Sequence, residues 1–84
     1  MITSYTLARV LPAKDKEVYR KMKVFDEVKD VILTYGEYDV ILKIESNSLE
    51  DLDHFVFNKL RAIDGITTTT TLLKAQPKFF TKDG

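Results

Sequence analysis

Two polar clusters in this 84-residue chain have residue types and spacing suited to holding a small zwitterion. The first is Gly36-Glu37-Tyr38-Asp39. A free amino acid needs acceptors for its ammonium and donors for its carboxylate. Asp39 offers an acceptor, and backbone N–H groups near Gly36 can approach a ligand closely because no Cβ intervenes. The second cluster is the threonine run, in which Thr67, Thr69 and Thr71 fall on one face of a strand and present hydroxyls that donate or accept. Plainer explanations stand beside both. Threonine runs express β propensity, and a carboxylate at a turn edge is often simply solvated. Residue chemistry alone reaches a possible small-ligand pocket and stops there.

Other chemistries find little support. His54 is the sole histidine and there is no cysteine, so no Ser/His/Asp or Cys/His arrangement can be assembled around a designated nucleophile. Asp51 and His54 share a helix face by spacing, with Asp53 close by, but two ligands without a third describe a solvated helix better than a metal site. Arg9, Arg20 and Arg61 show no convergent pattern. The glycines at 36, 65 and 84 are too scattered to cradle a phosphate. A base-stacking surface would want aromatics where the third strand turns Asp39, Ile41 and Lys43 outward. No catalytic residue, cofactor or metal is expected.

Composition narrows the class further. Thirteen basic residues balance thirteen acidic ones, without the basic excess of a phosphate-binding surface. No apolar run approaches the roughly 18–20 residues of a membrane span, and no basic-then-apolar leader opens the chain. A cytoplasmic protein is expected. A chain this short buries only about 60–65% of its unfolded surface. With disulfides and a Cys/His zinc site excluded, oligomerisation is the remaining support.

Elements must position the two clusters, and the pattern gives six. Ile2–Leu11 reads as a strand closed by Pro12. From about Ala13 a helix follows, with Val18, Met22 and Phe25 at i, i+4, i+7 and Tyr19 widening the stripe. Asp30–Tyr35 reads as a strand with Val31, Leu33 and Tyr35 opposite Ile32 and Thr34. Gly36-Glu37 suits a two-residue hairpin loop. On Tyr38–Glu45, Tyr38, Val40, Leu42 and Ile44 face one way. Ser48 caps a helix carrying Leu49, Leu52, Val56, Leu60 and Ile63, with Phe55 at its edge. Gly65 fits a left-handed stop, and Thr67–Leu73 is the last strand.

The order β-α-β-β-α-β, right-handed crossovers and a central hairpin predict an α+β ferredoxin-like plait. Its four-stranded antiparallel sheet has order 4-1-3-2, with both helices on one face. Ile41 and Ile32 then sit on a face that would otherwise meet water, which predicts a sheet-to-sheet dimer. Phe79 and Phe80 offer two aromatics beyond the last strand, for their own subunit or a neighbour.

Taken together, Tyr35-Gly36-Glu37-Tyr38-Asp39, the following strand, the helix ending near Gly65 and the strand Thr69-Thr70-Thr71 resemble a known family. It is the effector-binding domain, or RAM module, of the leucine-responsive regulatory protein/AsnC transcription regulators. The resemblance spans roughly residues 2 to 75. It implies the same plait, dimers joined through their sheets and assembled into octamers or decamers, and amino-acid effectors held between dimers. By match to the family pattern, Tyr35, Gly36, Tyr38, Asp39, Thr69 and Thr71 are implied to line the effector pocket. His54 falls near a helix position that can touch the effector. Full-length members also carry an N-terminal helix-turn-helix, whereas here Met1 opens directly into the first strand. One domain spanning 1–84 is therefore expected, in the stand-alone form, without direct DNA binding, sensing amino acids or joining full-length relatives in mixed oligomers. The competing readings are a small dimeric plait enzyme, of the cofactor-free monooxygenase or isomerase type, and a purely structural assembly subunit.

Overall fold

The computed structural model describes residues 1–75; the aromatic pair Phe79-Phe80 lies outside them. The elements are β1 (Ile2–Val10), a 3-10 turn (Pro12–Lys14), α1 (Asp15–Lys23), β2 (Val28–Leu33), β3 (Val40–Ser46), α2 (Leu49–His54) and β4 (Ile66–Leu73). A π-helical segment, Phe55–Leu60, continues α2. The sheet order β2-β3-β1-β4 is the expected one, and every pairing is antiparallel.

Alternation sets the two faces of the sheet. Ser4, Thr6, Ala8 and Val10 of β1 and Val40, Leu42, Ile44 and Ser46 of β3 are buried. Against them pack Val18 and Met22 of α1 and Leu52, Phe55, Val56, Leu60 and Ile63 from the second helical segment and its exit. Phe25, just past α1, meets Phe55 edge-on at 5.1 Å between ring centroids, a geometry the ring quadrupoles favour. The alternate residues Tyr5, Leu7, Ile41 and Lys43 are only half-buried, because no helix covers their face. Ile32, paired with Ile41, is 46% exposed.

Ser48 performs its expected task, since its hydroxyl accepts a hydrogen bond from the Asp51 N–H at 3.1 Å. Beyond that cap the helix departs from expectation. Apolar positions four apart drift by about 40° per step around an α-helix of 3.6 residues per turn. Leu52, Val56 and Leu60 would therefore leave the core progressively. A π turn, with Arg61 N–H bonded to Val56 O at 2.9 Å, takes up an extra residue and keeps all three buried. Leu49, expected on the buried stripe, is 52% exposed at the first turn.

Gly65 is not the residue that stops the helix, which is capped at Arg61. It has φ +109°, and a Cβ there would stand 2.7 Å from Lys14 Cβ and 2.8 Å from Val18 Cγ2. The chain needs glycine so that the entry to β4 can pass directly under α1. Gly65 O also accepts from Leu11 N–H at 2.8 Å, tying the two connections together.

The hairpin between β2 and β3 is wider than two residues. Its closing hydrogen bond runs from Thr34 N–H to Asp39 O at 2.9 Å, so residues 35–38 form the loop. Thr34 Oγ1 donates to Tyr38 O at 2.8 Å and fastens the loop internally. Gly36 at its tip has φ +116° and open space where a Cβ would be. Strand alternation therefore does not extend to Tyr35 and Tyr38. Tyr35 is fully exposed rather than core-facing, and Leu33 is 60% exposed, because this end of β2 runs beyond the helical cover.

Candidate functional site

The threonine strand is where side chains with binding capacity converge. Thr69 pairs with Ala8 and Thr71 with Thr6, residues whose side chains lie under the helices. Both threonines therefore turn toward the helical layer at the sheet's edge. There they line a groove of about 220 Å³ with Leu52, Asp53, Val56, Phe57 and Arg61. Thr71 Oγ1 is 2.9 Å from Thr6 Oγ1, which anchors its hydroxyl from beneath. Thr67, expected to share that face, instead occupies the irregular register between Arg9 and Val10, where its hydroxyl donates to Arg9 O at 3.4 Å.

The hairpin cluster lies on the other side. Tyr38 Oη is 3.1 Å from Thr70 Oγ1, and Thr70 pairs with Leu7 on the open face. The Arg9 guanidinium sits 5.5 Å from the Tyr38 ring centroid and 3.4 Å from Glu37 Oε1. These contacts lay the loop across β1 toward β4. Tyr35, Glu37, Tyr38 and Thr34 border a shallow depression of about 240 Å³ with Leu7 and Ile41.

Asp39 has a structural task as well. Its Oδ2 accepts the Val10 N–H at 2.8 Å, where β1 and β4 lose their regular register. The bond satisfies a backbone donor at that irregularity. The Asp39 carboxylate is also felt at Tyr19, whose hydroxyl is pushed up mainly by burial and then by Asp39 and Asp15.

His54 belongs to neither cluster. Its Nδ1 lies 2.9 Å from Asn58 Nδ2 on the exposed side of the helix. It borders a cavity of about 480 Å³ with Asp26, Glu27, Ser46 and Lys59, beside the end of β3 opposite to Asp39. One copy of the chain thus brings Thr69 and Thr71 together and, separately, Tyr35 to Asp39, but it does not unite these sets or add His54 to them. No group of three His, Cys, Asp or Glu side chains among the described residues could hold a metal ion.

The sequence offers Asp53 only beside a metal candidate and Arg61 only among arginines without a convergent pattern, so neither is expected at the threonine strand. The signal was present in the spacing Asp53, Phe57, Arg61, four apart each time. It only becomes a single stripe facing β4 because the π turn corrects the rotation. Arg61 leans over Phe57, with its guanidinium 5.1 Å from the ring centroid.

The family model for the Lrp/AsnC ligand binding domain matches residues 4–77. The regulatory protein AsnC of Haemophilus influenzae is 37% identical over 65 residues, covering 76% of this chain and 43% of that protein. The crystal structure of FFRP-DM1 is 37% identical, with a TM-score of 0.85, covering 89% of this chain and all of that one. The Neisseria meningitidis transcriptional regulator NMB0573, solved as a complex with L-Met, shares the fold at 19% identity. Its TM-score is 0.83, and the match covers 96% of this chain and 54% of that one. The matched stretches make up less than half of the curated relatives' length, and the chain spans about half of it. Among the described residues, no helix is long and apolar enough to cross a membrane.

Proposed function

Because the chain belongs to the Lrp/AsnC ligand-binding domain family, we propose that it is a non-enzymatic regulatory module that binds a free amino acid and works as an oligomer. The supporting observation is the groove at β4, where Thr69 and Thr71 stand opposite both an acid, Asp53, and a base, Arg61. A protein of the same fold was solved with L-Met, which makes amino acids the first class of ligand to test. The half-buried Tyr5, Leu7 and Ile41 on the face without helices suit a second copy packed against the sheet. Gly36 and its loop are then available to a neighbouring copy, so that Tyr35 to Asp39 of one chain can complete the groove of another. Dimers, and octamers or decamers built from them, would place such pockets at their joints. In the cytoplasm such a module modulates full-length regulators of its family by joining their oligomers.

Thermal-shift measurements against the twenty amino acids, with mass from light scattering, test both halves of this reading. A ligand at roughly 100 times its Kd stabilises a single site by about 2.7 kcal/mol. No response to any amino acid, from a chain that still assembles, would leave a purely structural subunit as the better description. A monomer at all concentrations would remove the oligomeric half.

A further inference from the structure

We infer that the cavity between the end of β3, the start of β2 and α2 is a second binding site, and that its ligand is an aliphatic diamine or short polyamine. The cavity measures about 480 Å³, within the roughly 300–1,000 Å³ usual for organic ligands. It lies at the end of β3 away from the hairpin and shares no residue with the threonine groove. The inference therefore goes beyond the amino-acid reading and does not depend on it.

Ser46 is the residue that points to a ligand. It is 6% exposed and continues the buried alternation of Val40, Leu42 and Ile44, so its side chain turns toward the helical layer. There it lines the cavity together with Asp51 of α2. Its hydroxyl nevertheless has no hydrogen-bond partner among the described residues. Buried polar groups are nearly always bonded, and an exception calls for an occupant that completes it. Rotation about one bond turns this hydroxyl toward the cavity, and no existing bond is given up in the process.

Carboxylates dominate the rest of the lining. Asp26 and Glu27 lead into β2, Glu45 precedes Ser46, and Asp51 stands in the first turn of α2. Glu27 is paired with Lys59 at 3.2 Å. The other ion pairs among the described residues, Arg9–Glu37, Lys14–Asp64 and Lys21–Glu17, lie elsewhere. Asp26, Glu45 and Asp51 are thus left with one free basic side chain at the cavity, Lys29. Such an excess attracts a cation and repels an anion.

No group of three His, Cys, Asp or Glu side chains among the described residues could hold a metal ion, so the charge has to be spread over an organic molecule. Asp51 on the helix and Asp26 with Glu45 beside the strands form two separate stations. Two ammonium groups joined by a short aliphatic chain can occupy both, with the Ser46 hydroxyl accepting from one of them. A free amino acid suits the lining less well, because its carboxylate would have only Lys29 to receive it.

Titration calorimetry on the full chain at low salt, where exposed charges are least screened, tests the site with putrescine, spermidine, butylamine and magnesium chloride. Putrescine or spermidine is expected to bind roughly tenfold or more tightly than butylamine, which carries one ammonium, since each charged hydrogen bond is worth about that factor. Asp51→Asn should weaken the diamine roughly tenfold or more, and Ser46→Ala about three- to tenfold. The Ser46→Ala loss should come with a urea midpoint that is unchanged or raised, a combination a merely structural hydroxyl does not give. Equal binding of butylamine overturns the two stations, and tighter binding of Mg²⁺ overturns the organic ligand. Unchanged affinity in both variants overturns the location. Absence of binding by every amine overturns the inference and leaves Ser46 to water, while the response to amino acids stands or falls separately.

Discussion

Replacing Gly65 by alanine should destabilise the domain far more than the same change at Gly36, although both glycines have nearly the same backbone angle. Their φ values are +109° and +116°, so each alanine incurs the left-handed penalty of about 1–2 kcal/mol for an L-residue. Each also gains about 0.4–1 kcal/mol from a stiffer unfolded chain, which cancels in the comparison. What remains is space. At Gly36 nothing lies within 4 Å of the added carbon, whereas at Gly65 it meets Lys14 Cβ at 2.7 Å and Val18 Cγ2 at 2.8 Å. Val18 is fully buried and Lys14 Cβ is fixed to its own backbone, so neither can swing away. Forcing a methyl into packed surroundings costs about 1–3 kcal/mol.

A net total near 1–5 kcal/mol for Gly65→Ala is large against the whole stability of a chain this size, about 4–13 kcal/mol at 0.05–0.15 kcal/mol per residue. Equilibrium urea unfolding is the assay. With m near 1 kcal/mol per M, the Gly65→Ala midpoint should fall about 1–3 M below that of Gly36→Ala. Equal midpoints for the two variants would refute the claim that close passage under α1, rather than backbone angle alone, is what requires Gly65.

Two further outcomes follow from polar groups. Ser46 Oγ is buried with no hydrogen-bond partner among the described residues, so Ser46→Ala should be neutral or raise stability by up to about 1 kcal/mol in the same urea assay, since burying an unpaired hydroxyl costs about 1–3 kcal/mol. The hydrogen bond and charge of Lys14 hold the Asp64 carboxyl below its ordinary value, and Asp64 raises Lys14 in return. The pair's contribution is present between those ordinary values, 3.8 and 10.5. It fades as pH falls through the lowered Asp64 value or rises through the raised Lys14 value. Asp64→Asn should remove this share of the pH dependence, read from urea midpoints at low salt. As both groups are exposed, added salt should shrink the difference.

How much of this was legible beforehand depended on whether local rules or packing made the decision. Val40, Leu42 and Ile44 alternate without interruption, so the β3 core face and the sheet order followed from sequence. Ser48 is a local device and was equally plain. The π turn was hidden because Phe55-Val56-Phe57 accommodates either helical period, and the choice is made by the core beneath it. Strand alternation predicts a core-facing Tyr38, but Tyr38 lies in a loop whose width is set by the Thr34–Asp39 closure. For the site, the threonine pair was found through its strand period, which the Thr69–Ala8 and Thr71–Thr6 register preserves. The opposing wall is not legible in the sequence because Asp53 and Arg61 become neighbours of that pair only after the helix docks on the sheet.

The position of β1 has a consequence for how the chain folds. Within the domain it is first in chain order, yet it lies between β3 and β4, with Ser4 paired to both Ile44 and Leu73. The β2–β3 hairpin can close locally, but the sheet's centre waits for segments from the far end of the sequence. Such long-range pairing slows folding, and a chain still on the ribosome would expose one unpaired side of its central strand until the threonine segment emerged. Deleting β1 (Ile2–Val10) would therefore do more than shorten the sheet. It would take out the strand that joins the hairpin to β4.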